Sequence, residues 1–212
     1  MQQPCWYTGY ALLFYAWGRS GMMRSRRVLF LVEMAIFSAI AVLLDIIPFL
    51  SFKLWAQGGS VSFSMVPVLI MAFRWGLKGG LTSGFLLGLY QILLGNAFLV
   101  TPVQTFLDYI VAFTLIGLAG LTSAQVAAAA HKNRVKRMVT GIIIGCFIGS
   151  LFRFLSHFTA GIVFYGNFAP PGQPVWLYSL IYNGGYMLPD FILSAVLVGL
   201  LFVNRPMLVQ RK

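Results

Sequence analysis

The chain has 212 residues, of which 59% are hydrophobic, 16% are aromatic and only 9% are charged. Its mean hydropathy is +0.86, and its charged fraction lies far below the roughly 25% that is typical of a soluble domain. These values exclude an ordinary soluble protein and indicate an integral membrane protein. The formal net charge of +11 is therefore interpreted first as a topology signal, and we predict no nucleic-acid partner.

The first 18 residues, MQQPCWYTGYALLFYAWG, are apolar, but they lack the leading positive charges of a signal peptide. They are consistent with a short interfacial segment, or with translation from a start codon upstream of Met22 or Met23. We favour the second interpretation and assign no function to residues 1–25. The transmembrane domain is predicted to span residues 26–212.

Hydrophobic runs follow in chain order, separated by Pro, Gly, Asn or charged residues. About 20 apolar residues cross a bilayer core of roughly 30 Å as a helix. The six runs span residues 28–49, 61–73, 77–95, 103–125, 138–165 and 176–203. The second run contains Pro67, which predicts a kink there. The predicted fold class is an all-α membrane protein with six transmembrane helices.

Lys and Arg residues indicate the orientation of these helices. Thirteen of them lie in the N-terminal segment, the links after runs 2 and 4, and the C-terminal tail. The alternate links contain only one, Lys53. Because positive residues accumulate on the cytoplasmic side, both termini are predicted to be cytoplasmic. The links after runs 1, 3 and 5 are then outside.

Small residues recur at every fourth position in the third and fifth runs, a spacing that lets helix backbones approach closely in lipid. The two series are Gly76, Gly80, Gly84 and Gly88, and Gly141, Gly145 and Gly149. We expect both series to pack against helices of the same chain. The first run has a shorter patch of small residues, Ala35 and Ala39, whose partner need not be in this chain.

The chain has only four acidic residues, Glu33, Asp45, Asp108 and Asp190. The first two lie near the ends of the first run, where snorkelling or pairing with Arg26 or Lys53 accounts for them. Asp108 and Asp190 lie inside predicted spans, where a charge is costly and usually marks a functional site.

Polar and aromatic groups from four distant segments fall at one level near the outer face in this topology. They are Trp55, Asp108, Tyr109, Arg153, His157, Tyr178, Tyr182, Asn183 and Tyr186. Arg153, His157, Gly161 and Tyr165 follow one another at intervals of four residues, so they share one flank of the fifth helix.

This convergence predicts a ligand pocket that opens to the outside. Aromatic rings and a carboxylate suit a flat, cationic, nitrogen-rich ligand. The alternative is a buried ion pair between Asp108 and Arg153 that holds two helices together. In either case we expect Arg153 to support Asp108 and not to contact the ligand.

Four motifs carry a resemblance to a known family: GGSVSFSMVPV after an outer Trp, LDYIVAF, SHFTAGIVFYG and YSLIYNGGYMLPD. They resemble the thiamine-specific substrate-binding subunit, or S component, of energy-coupling factor (ECF) transporters. The resemblance extends from about Arg26 to the C-terminus. It implies a multi-pass protein of the cell membrane that captures thiamine from outside. It also implies coupling to a transmembrane T component and two cytoplasmic ATPase subunits.

The resemblance further implies which residues contact the ligand. The family's helix 4 acid, usually Glu, is Asp108 here, one methylene shorter and followed by Tyr109. Tyr165 stands where many members have a stacking Trp. The remaining implied ligand contacts are His157, Gly161, Tyr178, Asn183 and Trp55. In the same way, Ala35 and Ala39 match the surface that docks on the T component.

No P-loop, H-E-x-x-H or G-x-S-x-G motif occurs in the sequence, so no ATPase, metal, cofactor or catalytic site is predicted in this chain. Two alternatives stay open. One is an S component for another small vitamin or precursor. The more distant one is an intramembrane enzyme in which His157 and Asp108 act together as a catalytic base.

Overall fold

The computed structural model describes residues 6–55, 58–95 and 97–209, with side chains at all of these except 6–25, 55 and 58. Five long helical segments and one hairpin make up the described chain. They are α1 Trp6–Ile46, β1 Ser51–Trp55, β2 Gly58–Ser62, α2 Met65–Leu93, α3 Pro102–His131, α4 Val135–Phe164 and α5 Val175–Asn204. Short 3₁₀ turns lie at Pro48–Leu50, Gly166–Phe168 and Pro206–Leu208.

Helix α2 covers two of the predicted hydrophobic runs. It is interrupted at Gly76, where φ is 72° and ψ is −161°, a conformation that residues with a Cβ rarely adopt. The predicted kink at Pro67 is wrong. Pro67 is the third residue of α2. The N–H groups of a helix's first turn have no intrahelical acceptor, so a proline there removes no helical hydrogen bond. The second run also begins too early, because Val61 and Ser62 belong to β2.

Four described segments are long and apolar enough to cross a membrane: Arg26–Ile46, Pro102–His131, Val135–Phe164 and Val175–Asn204. Their outward faces are apolar. Leu31 is 63% exposed, Val163 63% and Leu188 61%. Such a continuous apolar exterior is unusual for a soluble protein and is expected where lipid surrounds the helices.

Helix α3 lies between α2 and α4, and both glycine series pack on it. Cβ atoms at Gly80, Gly84 and Gly88 would overlap backbone atoms of α3. On the other side, Gly149 lies against the Ile116 carbonyl group. The prediction that both series pack within the chain is therefore confirmed. This close backbone contact fixes the positions of α2, α3 and α4 relative to one another.

We expect Gly84→Ala to lower the free energy of unfolding by about 1–3 kcal/mol, because the added methyl group would overlap the Phe113 carbonyl oxygen. Gly199→Ala is the matched control, since apart from its own helix no atom of the described residues lies within 4 Å of its added Cβ. That variant should be neutral or slightly stabilising, because alanine favours helix more than glycine does. Thermal unfolding in detergent measures both variants. Equal midpoints would contradict the close-packing account.

Glu33 joins three parts of the chain. Its carboxylate accepts hydrogen bonds from Arg74 Nε at 2.6 Å, Arg74 Nη2 at 2.7 Å and Trp75 Nε1 at 2.7 Å. Arg74 Nη1 also donates to the Leu208 carbonyl oxygen at 2.7 Å. The expected pairing of Glu33 with Arg26 is therefore wrong. The cluster ties α1, the region beside the α2 break and the C-terminal turn together.

Candidate ligand-binding site

A cavity of about 320 Å³ lies among the hairpin and the ends of the helices. The structure brings together all the predicted pocket residues whose side chains it describes. They are Asp108, Tyr109, Arg153, His157, Gly161, Tyr165, Tyr178, Tyr182, Asn183 and Tyr186. Trp55 ends β1, and its side chain lies outside the described part of the structure.

Asp108 is the central polar group of the cavity wall, and it is only 6% exposed. Its Oδ2 accepts hydrogen bonds from Gln104 Nε2 at 2.7 Å and from the Tyr165 hydroxyl at 3.1 Å. Its Oδ1 lies 3.0 Å from His157 Nδ1. The carboxylate is thus held by α3 itself, by α4 and by Tyr165, the residue that follows α4. Its geometry is fixed before a ligand arrives.

A π-helical stretch, Phe106–Val111, presents Asp108 and Tyr109 to the cavity. Such wide turns occur mostly as local insertions in α-helices, frequently at functional sites. The Tyr109 hydroxyl accepts a hydrogen bond from the Phe98 backbone N–H at 2.6 Å. Tyr109 therefore also anchors the loop that leads into α3.

Tyr165 closes one side of the cavity beside this loop. Its ring stacks on Phe98 with a centroid distance of 6.4 Å. Burial, and then the negative charge of Asp108, raise the pKa of the Tyr165 phenol. The phenol therefore keeps its proton at neutral pH and remains a donor to Asp108.

Aromatic rings continue across α5 and α4 as one wall. Centroid distances are 5.8 Å from Tyr178 to Tyr182, 6.0 Å from Tyr182 to Tyr186 and 6.4 Å from Tyr186 to His157. Phe113 lies 6.4 Å beyond His157. The wall offers several ring faces to a flat or cationic ligand.

Asn183 is held at the junction of α4 and α5. Its Nδ2 donates to the Ser179 carbonyl oxygen at 3.0 Å, and its Oδ1 accepts from the Tyr186 hydroxyl at 3.1 Å. Gly161 permits this close approach, because a Cβ there would overlap the Ser179 hydroxyl. Gly161 therefore both lines the cavity and sets the spacing of the two helices.

Arg153 is placed differently from the prediction. Its Nη1 lies 2.9 Å from Asp190 Oδ2, and its guanidinium carbon lies 4.7 Å from the centre of the Phe113 ring. The expectation that Arg153 braces Asp108 is wrong, because Asp108 is held by His157, Gln104 and Tyr165. Asp190 neutralises the positive charge of Arg153 beside the cavity.

Asp45 is a wall residue that the sequence interpretation missed. It accepts a hydrogen bond from Gln91 Nε2 at 2.7 Å, and both residues line the cavity. The hairpin adds Ser51, Lys53, Gly59 and Ser60. Its position could have indicated this role, because Asp45 lies near the end of the first run, on the same predicted side as the other pocket residues. With Arg153 paired to Asp190, the other formal charges among the described wall residues are Asp45, Asp108 and Lys53.

The family profile described as thiamine transporter protein (Thia_YuaJ) matches residues 31–210. The chain belongs to this thiamine transporter family. Among relatives, the thiamine transporter ThiT of Bacillus subtilis (strain 168) is 47% identical over 191 residues, covering 89% of this chain and 98% of that one. ThiT of Lacticaseibacillus paracasei (strain ATCC 334) is 34% identical over 194 residues, covering 90% and 95%.

The solved structure of ThiT from Listeria monocytogenes superposes with a TM-score of 0.81 at 30% identity, covering 87% of this chain and 98% of that chain. The resemblance to the thiamine-specific S component is thereby confirmed. Membership of the thiamine transporter family, together with the apolar helices, makes the chain a multi-pass protein of the cell membrane. Its role is transport and not catalysis.

Proposed function

We propose that this chain is the thiamine-binding subunit of an ECF-type vitamin importer. It captures thiamine from outside and delivers it inward together with a transmembrane T component and two cytoplasmic ATPases. One observation carries the proposal: the cavity of about 320 Å³ combines a prearranged Asp108 carboxylate with a wall of aromatic rings. Its volume falls in the roughly 300–1,000 Å³ range of small-molecule sites.

The chemistry of thiamine matches this lining. Thiamine joins an aminopyrimidine, which has donors and acceptors on a flat ring, to a positively charged thiazolium. Asp108 supplies a charged acceptor, which forms stronger hydrogen bonds than a neutral one. Tyr165 and the rings of α5 supply stacking faces, and His157 and Asn183 orient the ligand. Trp55 is proposed to cover it from the hairpin side.

The proposed topology has six crossings, with α2 counted as two helices that meet at Gly76. Both termini are then cytoplasmic, and the transmembrane domain comprises residues 26–212. The distribution of Lys and Arg supports this orientation. It places the hairpin and the cavity on the outer side, where an importer first meets its substrate.

Equilibrium binding to the purified protein in detergent tests the ligand. We expect saturable thiamine binding below micromolar concentration, and weak competition by riboflavin, biotin or a free aminopyrimidine. Displacement by one of these at equal concentration would favour an S component for another vitamin. Absence of saturable thiamine binding at micromolar ligand would overturn the proposal.

The exposed face of α1 is the proposed docking surface for the T component. Ala35 and Ala39 are both exposed, and beside them Val32 is 49% and Ile36 is 52% exposed. Small residues on such a face let a second helix approach closely in lipid. The lipid bilayer covers this face when the T component is absent.

Ala35→Trp and Ala39→Trp should leave thiamine binding unchanged and lower uptake by about tenfold, because a bulky ring blocks close helix contact. Binding to purified protein and uptake by cells that contain the full transporter measure the two effects. Ile192→Trp on α5, where Ile192 is 52% exposed, is the control and should affect neither. Normal uptake by both alanine variants would contradict docking at this surface.

A further inference from the structure

Asp190 is a buried carboxylate outside the cavity lining. It lies in α5 and is 1% exposed. Its two oxygens bind different parts of the chain: Oδ1 accepts from the Ser62 backbone N–H at 3.2 Å, and Oδ2 lies 2.9 Å from Arg153 Nη1. One side chain of α5 therefore joins the end of β2 to the middle of α4.

Both of these partners lie close to the cavity. Ser62 is two residues from Ser60, which lines the cavity. Arg153 itself lines the cavity, one helical turn from His157. Arg153 is itself fixed, since it is 5% exposed and rests against the Phe113 ring. A displacement of Asp190 would therefore move both the hairpin and the part of α4 that carries His157.

The hairpin is the element that most needs such an anchor. It consists of two five-residue strands, and an isolated two-stranded hairpin is marginally stable at best. A hydrogen bond from a backbone N–H to a carboxylate is stronger than one to a neutral acceptor. Because the contact with Arg153 Nη1 at 2.9 Å holds the Asp190 carboxylate in place, it also favours the bond from Ser62.

We propose that Asp190 is a positioning residue for ligand binding: it fastens the β1–β2 hairpin to α4 behind the cavity and so sets how long the ligand stays bound. The inference rests on the proposed function. The ligand can leave only when the hairpin or α4 moves away from it. The contacts made by a bound ligand do not involve Asp190. The effect is therefore expected in the dissociation rate, where most changes of affinity within one site occur.

Stopped-flow measurement of thiamine association and dissociation tests this with Asp190→Asn, which keeps the shape of the side chain and removes its charge. We expect dissociation to become about tenfold faster and association to change by less than about threefold. Ser194→Ala is the matched control. Ser194 lies one turn further along α5, is buried, and its hydroxyl has no hydrogen-bond partner among the described residues. Its rates should equal those of the wild type.

Hydrogen–deuterium exchange separates positioning from general loss of stability. In Asp190→Asn, exchange should rise in residues 50–64 and stay unchanged in residues 141–149, where α4 packs on α3. Uniformly faster exchange, or an unchanged dissociation rate, would overturn the inference. In the wild type, the Ser62 amide should be protected like the amides of helix interiors. Exchange there at the rate of an unstructured peptide would overturn it even if the variant did not fold.

The two proposals fail in different ways. A wild-type protein that binds no thiamine rejects the proposed function. A wild-type protein that binds thiamine, with an Asp190→Asn variant of the same rates, rejects only the positioning role.

Discussion

The Asp108→Asn variant is expected to bind thiamine about 100-fold more weakly than the wild type, because a hydrogen bond to a charged group contributes roughly 1.5–3 kcal/mol. The substitution removes the negative charge that faces the ligand. It also replaces one acceptor oxygen by an N–H₂ donor. Gln104 and Tyr165 both donate to Asp108, so a donor there could face another donor without an acceptor between them. The prearranged contacts with these donors and with His157 are disturbed together.

Titration of purified protein with thiamine measures this effect. Glu33→Gln is the matched control, since it neutralises a carboxylate that is also held by side-chain donors but does not line the cavity. The control should lose thermal stability and keep its affinity. An Asp108→Asn affinity within about threefold of the wild type would show that the Asp108 charge is not used in binding.

Arg153→Met is expected to reduce the free energy of unfolding by about 3–5 kcal/mol, because it leaves the Asp190 carboxylate buried without its charged partner. The double variant Arg153→Met with Asp190→Leu should recover much of this loss, since it removes both charges and fills their space with apolar atoms. The comparison separates the cost of one isolated charge from the net contribution of the pair.

Thermal or denaturant unfolding in detergent, followed by circular dichroism, measures the single and double variants. Recovery in the double variant is the expected result. If the double variant were as unstable as Arg153→Met alone, packing around the guanidinium, including its contact with Phe113, would have to account for the loss.

Much of the helical framework was predictable because hydropathy and small-residue spacing are local signals. The runs that became α3, α4 and α5 were located to within several residues, and the glycines at 80, 84 and 88 pack where their spacing indicated. The gathering of Asp108, His157 and Asn183 around one cavity also followed from their depths along the helices.

Three features were not predictable from such signals. The second strand of the hairpin is short and leads directly into a longer apolar run. The hydrophobic pattern therefore assigned Val61 to the next helix, whereas it lies in β2. The π-helical stretch changes the register of α3 without a change in hydropathy. Arg153 pairs with Asp190 and not with Asp108, whose oxygens already make three contacts with other residues. Those contacts depend on the folded arrangement and leave no signal in the sequence.

The glycine contacts of α3 have a consequence for redesign of substrate preference. At Gly84 and Gly149 the neighbouring carbonyl groups leave no room for even one methyl group. Libraries that randomise these glycine positions would therefore consist mostly of destabilised members. Diversity placed at Lys53, Ser60 and Tyr182, which line the cavity from the hairpin and from α5, would reshape its volume and polarity on an unchanged scaffold. A new vitamin specificity is best sought from that side.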